Sequence, residues 1–166
     1  MNATDVLLDG FDRVRHAVSR VLEGLSDDQL AHRVNGTSNS IAWLVWHLTR
    51  VQDDHVADLA GTGQVWETDG WADRFGLPLP PEDTGYGHDD EQVAAVVASA
   101  GLLLGYHEAV CARTQDYLRG VEAADLSEVV DESWDPPVTR AVRLVSVLED
   151  DLQHVGQAAF VRGLLS

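Results

Sequence analysis

The sequence predicts an all-α fold, a single four-helix bundle spanning residues 1–166, with a long crossover between the second and third helices. Three observations carry this reading. Apolar residues recur at three- and four-residue intervals in four long segments, no segment shows convincing strand-like alternation, and a Gly-, Pro- and Asp-rich stretch divides the helices two and two. With 166 residues and 45 % hydrophobic content, the chain can bury one sizeable core.

The first helix is read from Leu7, Phe11, Val14, Val18, Val21, Leu22 and Leu25, which line one face at helical spacing. Ser26-Asp27-Asp28-Gln29 has the form of a capping box and predicts a short helical turn before Asn35-Gly36. A second helix, from Ser40 to Leu59, places Ile41, Leu44, Leu48, Val51, His55 and Leu59 on one stripe, with His47 at its edge. Residues 61–90 hold the run Pro78-Leu79-Pro80-Pro81, which forbids regular structure. Trp66, Trp71, Phe75 and Tyr86 lie in the same stretch, so this crossover is expected to pack down over something. The third helix is predicted over Glu91–Leu118 and ends before Gly120. A second connection carries Trp134-Asp135-Pro136-Pro137, and Thr139 is a suitable N-cap for a fourth helix reaching Leu164.

Charge narrows the partners. The formal net charge of −17 argues against nucleic acid and against anionic membranes, because an acidic surface repels phosphates. All 11 basic residues are Arg, which excludes a lysine Schiff base. Cys111 is the only cysteine, so no intramolecular disulfide forms and a reducing, cytoplasmic compartment is expected. The N-terminus lacks the basic and apolar regions of a signal peptide, and no apolar run is long enough to span a bilayer. An exposed apolar helix face makes a homodimer the expected assembly.

The chemistry concentrates near the end of the chain. Asp150 and His154 stand four residues apart, about 40° around a helix, so both can reach one ion. His47, set among bulky apolar neighbours on the second helix, is the natural third ligand. Imidazole and carboxylate suit a first-row divalent metal, zinc first, with nickel or iron as alternatives, and three ligands leave a position open for water or substrate. Arg162, about two turns beyond His154, is the candidate to bind an anionic substrate group, and Trp43 is a candidate pocket wall, as are Trp71 and Trp134. Asp53, Asp54 and Gln157 are candidate outer partners of the ligands.

Plainer readings stand beside these. Asp150 and His154 also suit an ordinary ion pair at i, i+4, and His47 suits a packing role. Asp151 is a competing carboxylate nearer the centre of its apolar face. His55 lies about 12 Å along the helix from His47, so only one of the two can join the ion. His107 beside Glu108 fits a buried hydrogen bond, and His16, His32 and His88 read as surface or loop residues. Neither a P-loop nor a dinucleotide-binding glycine fingerprint nor a nucleophile elbow is present, and Cys111 has no evident activating partner.

The segments Trp43-Leu44-Val45-Trp46-His47-Leu48-Thr49-Arg50 with Asp53, Gly85-Tyr86-Gly87-His88, and Asp150 through Arg162-Gly163 together resemble the DinB superfamily of metalloenzymes, in its actinobacterial branch of domains of unknown function. That resemblance covers nearly the whole chain. It implies a four-helix bundle holding one divalent metal through a helix-two His and two helix-four ligands, usually His-x-x-x-His. His47 and His154 match, and Asp150 stands where the first His of the pair is usual. The related mycothiol-dependent maleylpyruvate isomerase looks similar with a Glu there. It also has an additional C-terminal domain absent from these 166 residues, so isomerisation itself is not what the resemblance implies. The relatives imply a thiol transferase, in which the metal holds mycothiol or bacillithiol as thiolate for attack on a small electrophile. Two other expectations remain: a non-catalytic binding bundle without metal, and a metal-dependent hydrolase acting through bound water.

Overall fold

The computed structural model describes residues 2–165 and is built on four long helices: α1 (Ala3–Leu22), α3 (Ile41–Ala60), α7 (Ala100–Arg119) and α8 (Arg140–Leu164). Between them lie α2 (Asp27–Ala31), α4 (Val65–Thr68), α5 (Trp71–Phe75) and α6 (Asp90–Ala95), with a strand pair β1 (Val129–Asp131) and β2 (Val138–Thr139). Both α1 and α3 pack on α7 and α8, so α1 and α3 occupy opposite corners of the bundle.

Each long helix starts on a side-chain cap. Asn2 and Asp5 form a reciprocal capping box at α1, while Ser40, Ser99 and Thr139 accept the amides of Trp43, Leu102 and Val142 at α3, α7 and α8. α3 ends on Gly61, which takes a left-handed φ of 64°. Every residue from Ile41 to Arg50 is buried, because α3 is covered by two helices and by the crossover.

The structure corrects the sequence reading in three places. The helix predicted over Glu91–Leu118 is two helices. Val96 is extended, and α7 starts afresh on the Ser99 cap, leaving Val96 and Ala98 as non-helical core residues. The β-branched Val96 and Val97 favour extended backbone, and Ser99 offers the amide of Leu102 a competing start. A strand pair exists where none was expected, and its members of 3 and 2 residues are too short for alternation to register. Finally, the crossover contains α4 and α5 in place of a structureless loop.

That crossover is fastened to α3. Asp53, which the sequence offered as an outer partner of the ligands, instead accepts the amides of Val65 (2.9 Å) and Trp66 (2.8 Å) and the Tyr106 hydroxyl (2.8 Å). It therefore caps α4. Arg50, fully buried, donates to Gln64 Oε1 (2.6 Å) and to the carbonyl of Asp83 (3.1 Å), and its guanidinium lies 4.9 Å from the Trp66 ring centroid. Trp66, Phe75, Tyr106 and Trp71 pack around this pair.

His107 sits between the Thr49 hydroxyl (3.0 Å) and Cys111 Sγ (3.3 Å), the buried hydrogen-bonding role its helix position suggested. Burial lowers its pKa from 6.5 to about 3. The folded protein thus keeps His107 neutral while the unfolded chain protonates it, and the stability this contributes is lost as pH falls from about 6.5 towards about 3. We expect the urea midpoint of the wild type to fall across that window more steeply than that of His107→Gln. Parallel curves for the two proteins would refute this.

Candidate metal centre

α3 and α8 bring His47, Asp150 and His154 together, with one ligand atom from each lying within 4.8 Å of the others. The ring centroids of the two imidazoles are 4.8 Å apart and their planes stand at 77°. His154 Nε2 lies 3.4 Å from Asp150 Oδ1. Ligand atoms about 2.1 Å from a tetrahedral first-row ion are roughly 3.4 Å apart, so this pair already has the spacing of one edge of such a site.

Hydrogen bonds fix which nitrogen each imidazole presents. His47 Nδ1 is 2.5 Å from the carbonyl of Thr84, which can only accept, so Nδ1 carries the proton and Nε2 keeps its lone pair. His154 Nδ1 bonds Gln157 Oε1 at 2.9 Å, leaving its Nε2 towards Asp150. Asp150 Oδ2 is buried and has no hydrogen-bond partner. A buried orphan oxygen beside two imidazole lone pairs is what a cation would satisfy, so the donor set fits a divalent metal.

The surroundings split the two imidazoles electrically. Burial is the largest influence on His47 and lowers its pKa, against the Thr84 bond. Burial also pulls on His154, but its bonds to Asp150 and Gln157 outweigh it and the pKa is raised. Asp151 is placed away from the cluster, since consecutive helical residues point about 100° apart. It is fully buried in the bundle with both oxygens unpartnered, and burial, with the charge of Asp150, pushes its carboxyl well above the usual range.

The crossover supplies the support that positions His47. Asp83 accepts the Gly85 amide (2.8 Å) and pairs with His88 Nε2 (2.8 Å), and His88 Nδ1 accepts from Trp43 Nε1 (3.0 Å). Trp43 lies flat on His47, with ring centroids 4.6 Å apart, and turns its edge towards His154. Gly85 has φ 93°, and a Cβ there would stand 2.8 Å from His47 Nδ1 and 3.0 Å from the Trp46 ring. The segment Asp83–His88 is therefore a cradle around the ligand. His88, read from sequence as a surface or loop residue, has a side chain only 2 % exposed.

The other sequence candidates are placed as follows. Trp43 walls the centre. Gln157 orients His154, and Asp54 lines the adjoining cavity while accepting Gln64 Nε2. The Arg162 guanidinium donates to the carbonyl of Val21 at 2.6 Å, tying α8 to the end of α1. His55 meets Arg143 (3.1 Å) outside the cluster, Trp71 packs in the core, and Trp134 is exposed. Sequence reasoning missed Thr84, whose carbonyl carries no side-chain signal, and Asp83; the glycine-bracketed Gly85-Tyr86-Gly87-His88 was the one available clue.

A cavity of about 410 Å³ opens on the centre, lined by His47 and Asp150 together with Asp54, His55, Tyr86 and Glu149. A second, mainly apolar cavity of about 590 Å³ lies against Gln157, with Val34, Leu44, Phe160 and Val161 on its walls. Among the described residues no helix is long and apolar enough to cross a membrane.

Comparison with known proteins identifies the family of the chain. The model of a family described as Mycothiol-S-transferase matches residues 6–166. A crystal structure of a conserved protein of a locus from Enterococcus faecalis superposes with a TM-score of 0.91 at 34 % identity, covering 98 % of this chain and 96 % of that one. No curated protein matches. The chain belongs to the mycothiol S-transferase family, within the DinB-like group that its helix-two and helix-four motifs resemble.

Proposed function

We propose that this protein is a divalent-metal-dependent transferase that joins a low-molecular-weight thiol, mycothiol, to a small electrophile. The grouping of one ligand atom each from His47, Asp150 and His154 within 4.8 Å, on a carboxylate whose Oδ2 is buried and unpartnered, carries this reading. His47, Asp150 and His154 would hold the ion, zinc by the chemistry of the donors. Bound there, the ion would favour the thiolate form of a thiol, the form that attacks electrophiles.

The chain's own thiol is unsuited to that role. Cys111 is 3 % exposed, and burial pushes its pKa up to about 12, so the nucleophile must come from outside the protein. In the reaction the incoming thiol gives up its proton to solvent water, its sulfur forms a bond to an electrophilic carbon, and the bond from that carbon to the leaving group breaks, the leaving group departing with the electron pair. Thr84 and Gln157 keep both imidazoles in the ligating tautomer throughout. Trp43 screens one side of the centre from water. The apolar cavity beside Gln157 suits an uncharged, apolar electrophile.

Elemental analysis of purified protein should find one divalent ion per chain, and mycothiol with monobromobimane should give the S-conjugate faster with the loaded protein than without it. Full metal loading with no conjugate formed would overturn the transferase reading. Ester hydrolysis in its place would point to bound water as the nucleophile, and an absence of metal would point to a binding bundle.

A further inference from the structure

His55 lies outside the ligand cluster, yet its side chain lines the cavity of about 410 Å³ on which His47 and Asp150 open. Its proton is fixed from behind. Arg143 Nη1 stands 3.1 Å from His55 Nδ1, and a guanidinium has only hydrogens to give, so Nδ1 offers its lone pair. Arg143 is itself held, donating from Nη2 to Asp131 Oδ2 at 2.8 Å, and Asp131 accepts the Ser133 amide at 2.9 Å. Burial first, and then the Arg143 charge, lower the His55 pKa and keep the ring neutral. A neutral imidazole whose lone pair is spent on one nitrogen carries its hydrogen on the other. His55 Nε2–H is therefore a donor, and among the described residues it has no hydrogen-bond partner. The same bonds deny His55 the role of base, since neither nitrogen has a lone pair to spare.

The walls of the cavity decide what that donor can meet. Asp54 and Glu149 are turned to Gln64 and Gln153, and Ser146 gives its hydroxyl to the Val142 carbonyl at 2.9 Å. The two carboxylates disfavour a ligand that arrives as an anion. An uncharged ligand with one accepting oxygen is what His55 can hold. Along α8 this cavity touches residues 146–150 and the apolar cavity touches residues 156–161, so the two flank the Asp150–His154 pair. An electrophile with its apolar part at Phe160 presents its other end to His55.

We propose that His55 is a catalytic residue of the transfer, donating from Nε2 to the oxygen of an oxirane, which makes small apolar epoxides the electrophile class. The proposal rests on the thiol-transfer reading for the sulfur, while the donor is specified by Arg143 and Asp131. The thiol, its proton already given to water, forms the C–S bond as the C–O bond breaks. The electron pair of that bond passes to the oxygen, which His55 holds by its hydrogen bond until water protonates it. The product is a β-hydroxy thioether, and His55 ends as it began. A fixed neutral donor suits charge that appears only during reaction.

Styrene oxide and monobromobimane, whose departing bromide asks little of a donor, separate this role from a structural one in the zinc-loaded protein with mycothiol. His55→Phe should lower kcat for styrene oxide roughly 100-fold, and for monobromobimane roughly tenfold less than that. His55→Gln should restore most of the loss, because its side-chain oxygen can accept from Arg143 while its amide donates. Nitrogen-15 NMR reads the donor without turnover. In the wild type His55 should show a bare Nδ1 and a protonated Nε2, Arg143→Met should mix the two tautomers, and styrene oxide added without thiol should shift the Nε2–H resonance. The reverse tautomer, no shift with styrene oxide, or losses that do not distinguish the two electrophiles in either His55 variant would overturn the proposal. Bimane conjugation without styrene oxide turnover sinks it and leaves the transferase reading standing. A shifted Nε2–H in a protein that conjugates neither substrate upholds the donor site while the transferase reading falls.

Discussion

His154→Ala should leave the protein folded and unable to retain its metal. The side chain is 17 % exposed, its polar bonds go to its own helix neighbours Asp150 and Gln157, and its ring packs on His47 and Trp43, so truncation should cost about 1–2 kcal/mol of stability. Removing a ligand outright should weaken metal binding by more than the roughly 10–100-fold typical of losing a ligand's outer partner. Elemental analysis after dialysis against a weak chelator measures this, and conjugate formation with mycothiol should fall to the uncatalysed rate. A variant that keeps a full equivalent of metal would remove His154 from the ligand set, and with it the argument that α3 and α8 share an ion.

Gly85→Ala should produce the second large effect, through His47. The backbone φ of 93° is strained for any residue with a Cβ, which costs on the order of 1–3 kcal/mol. The added methyl would also lie 2.8 Å from His47 Nδ1, 3.0 Å from Trp46 and 3.2 Å from Trp43, none of which is a flexible chain end. The imidazole must then tilt and surrender its bond to Thr84, so we expect metal affinity to fall by about 10–100-fold as for other outer-partner losses. Gly87→Ala separates the two contributions: φ there is 72° and nothing lies within 4 Å of the added carbon, so only the backbone cost remains. Equal metal affinity in the two variants would show that the cradle does not position the ligand.

The parts of this fold that were readable from sequence are those where one periodic face meets an explicit stop or start. α3 and α8 are of this kind, delimited by Ser40, Gly61 and Thr139. The break between α6 and α7 was hidden because Val93, Val96 and Ala100 keep helical spacing across it, although Val96 reaches the core from an extended backbone. The site divides similarly. His47, Asp150 and His154 were accessible because one turn of helix sets their separation, but choosing Asp150 over Asp151 depends on how α8 is rotated, which only packing against α1 and α3 decides. His88 and Asp83 lie in a segment with no periodicity, where burial follows from tertiary bonds, Trp43 to His88 and Arg50 to the Asp83 carbonyl, that leave no trace in the local sequence.

Arg50 bears on how reactants arrive. Its buried guanidinium holds Gln64 and the carbonyls of Pro81 and Asp83, so lifting the crossover off α3 would strand a cation in the interior, a penalty of about 3–5 kcal/mol. Opening of the crossover is thus infrequent. Reactants can reach His47 and Asp150 through the cavity that already opens on them, so turnover is expected to depend on solvent viscosity no more than a diffusional encounter does.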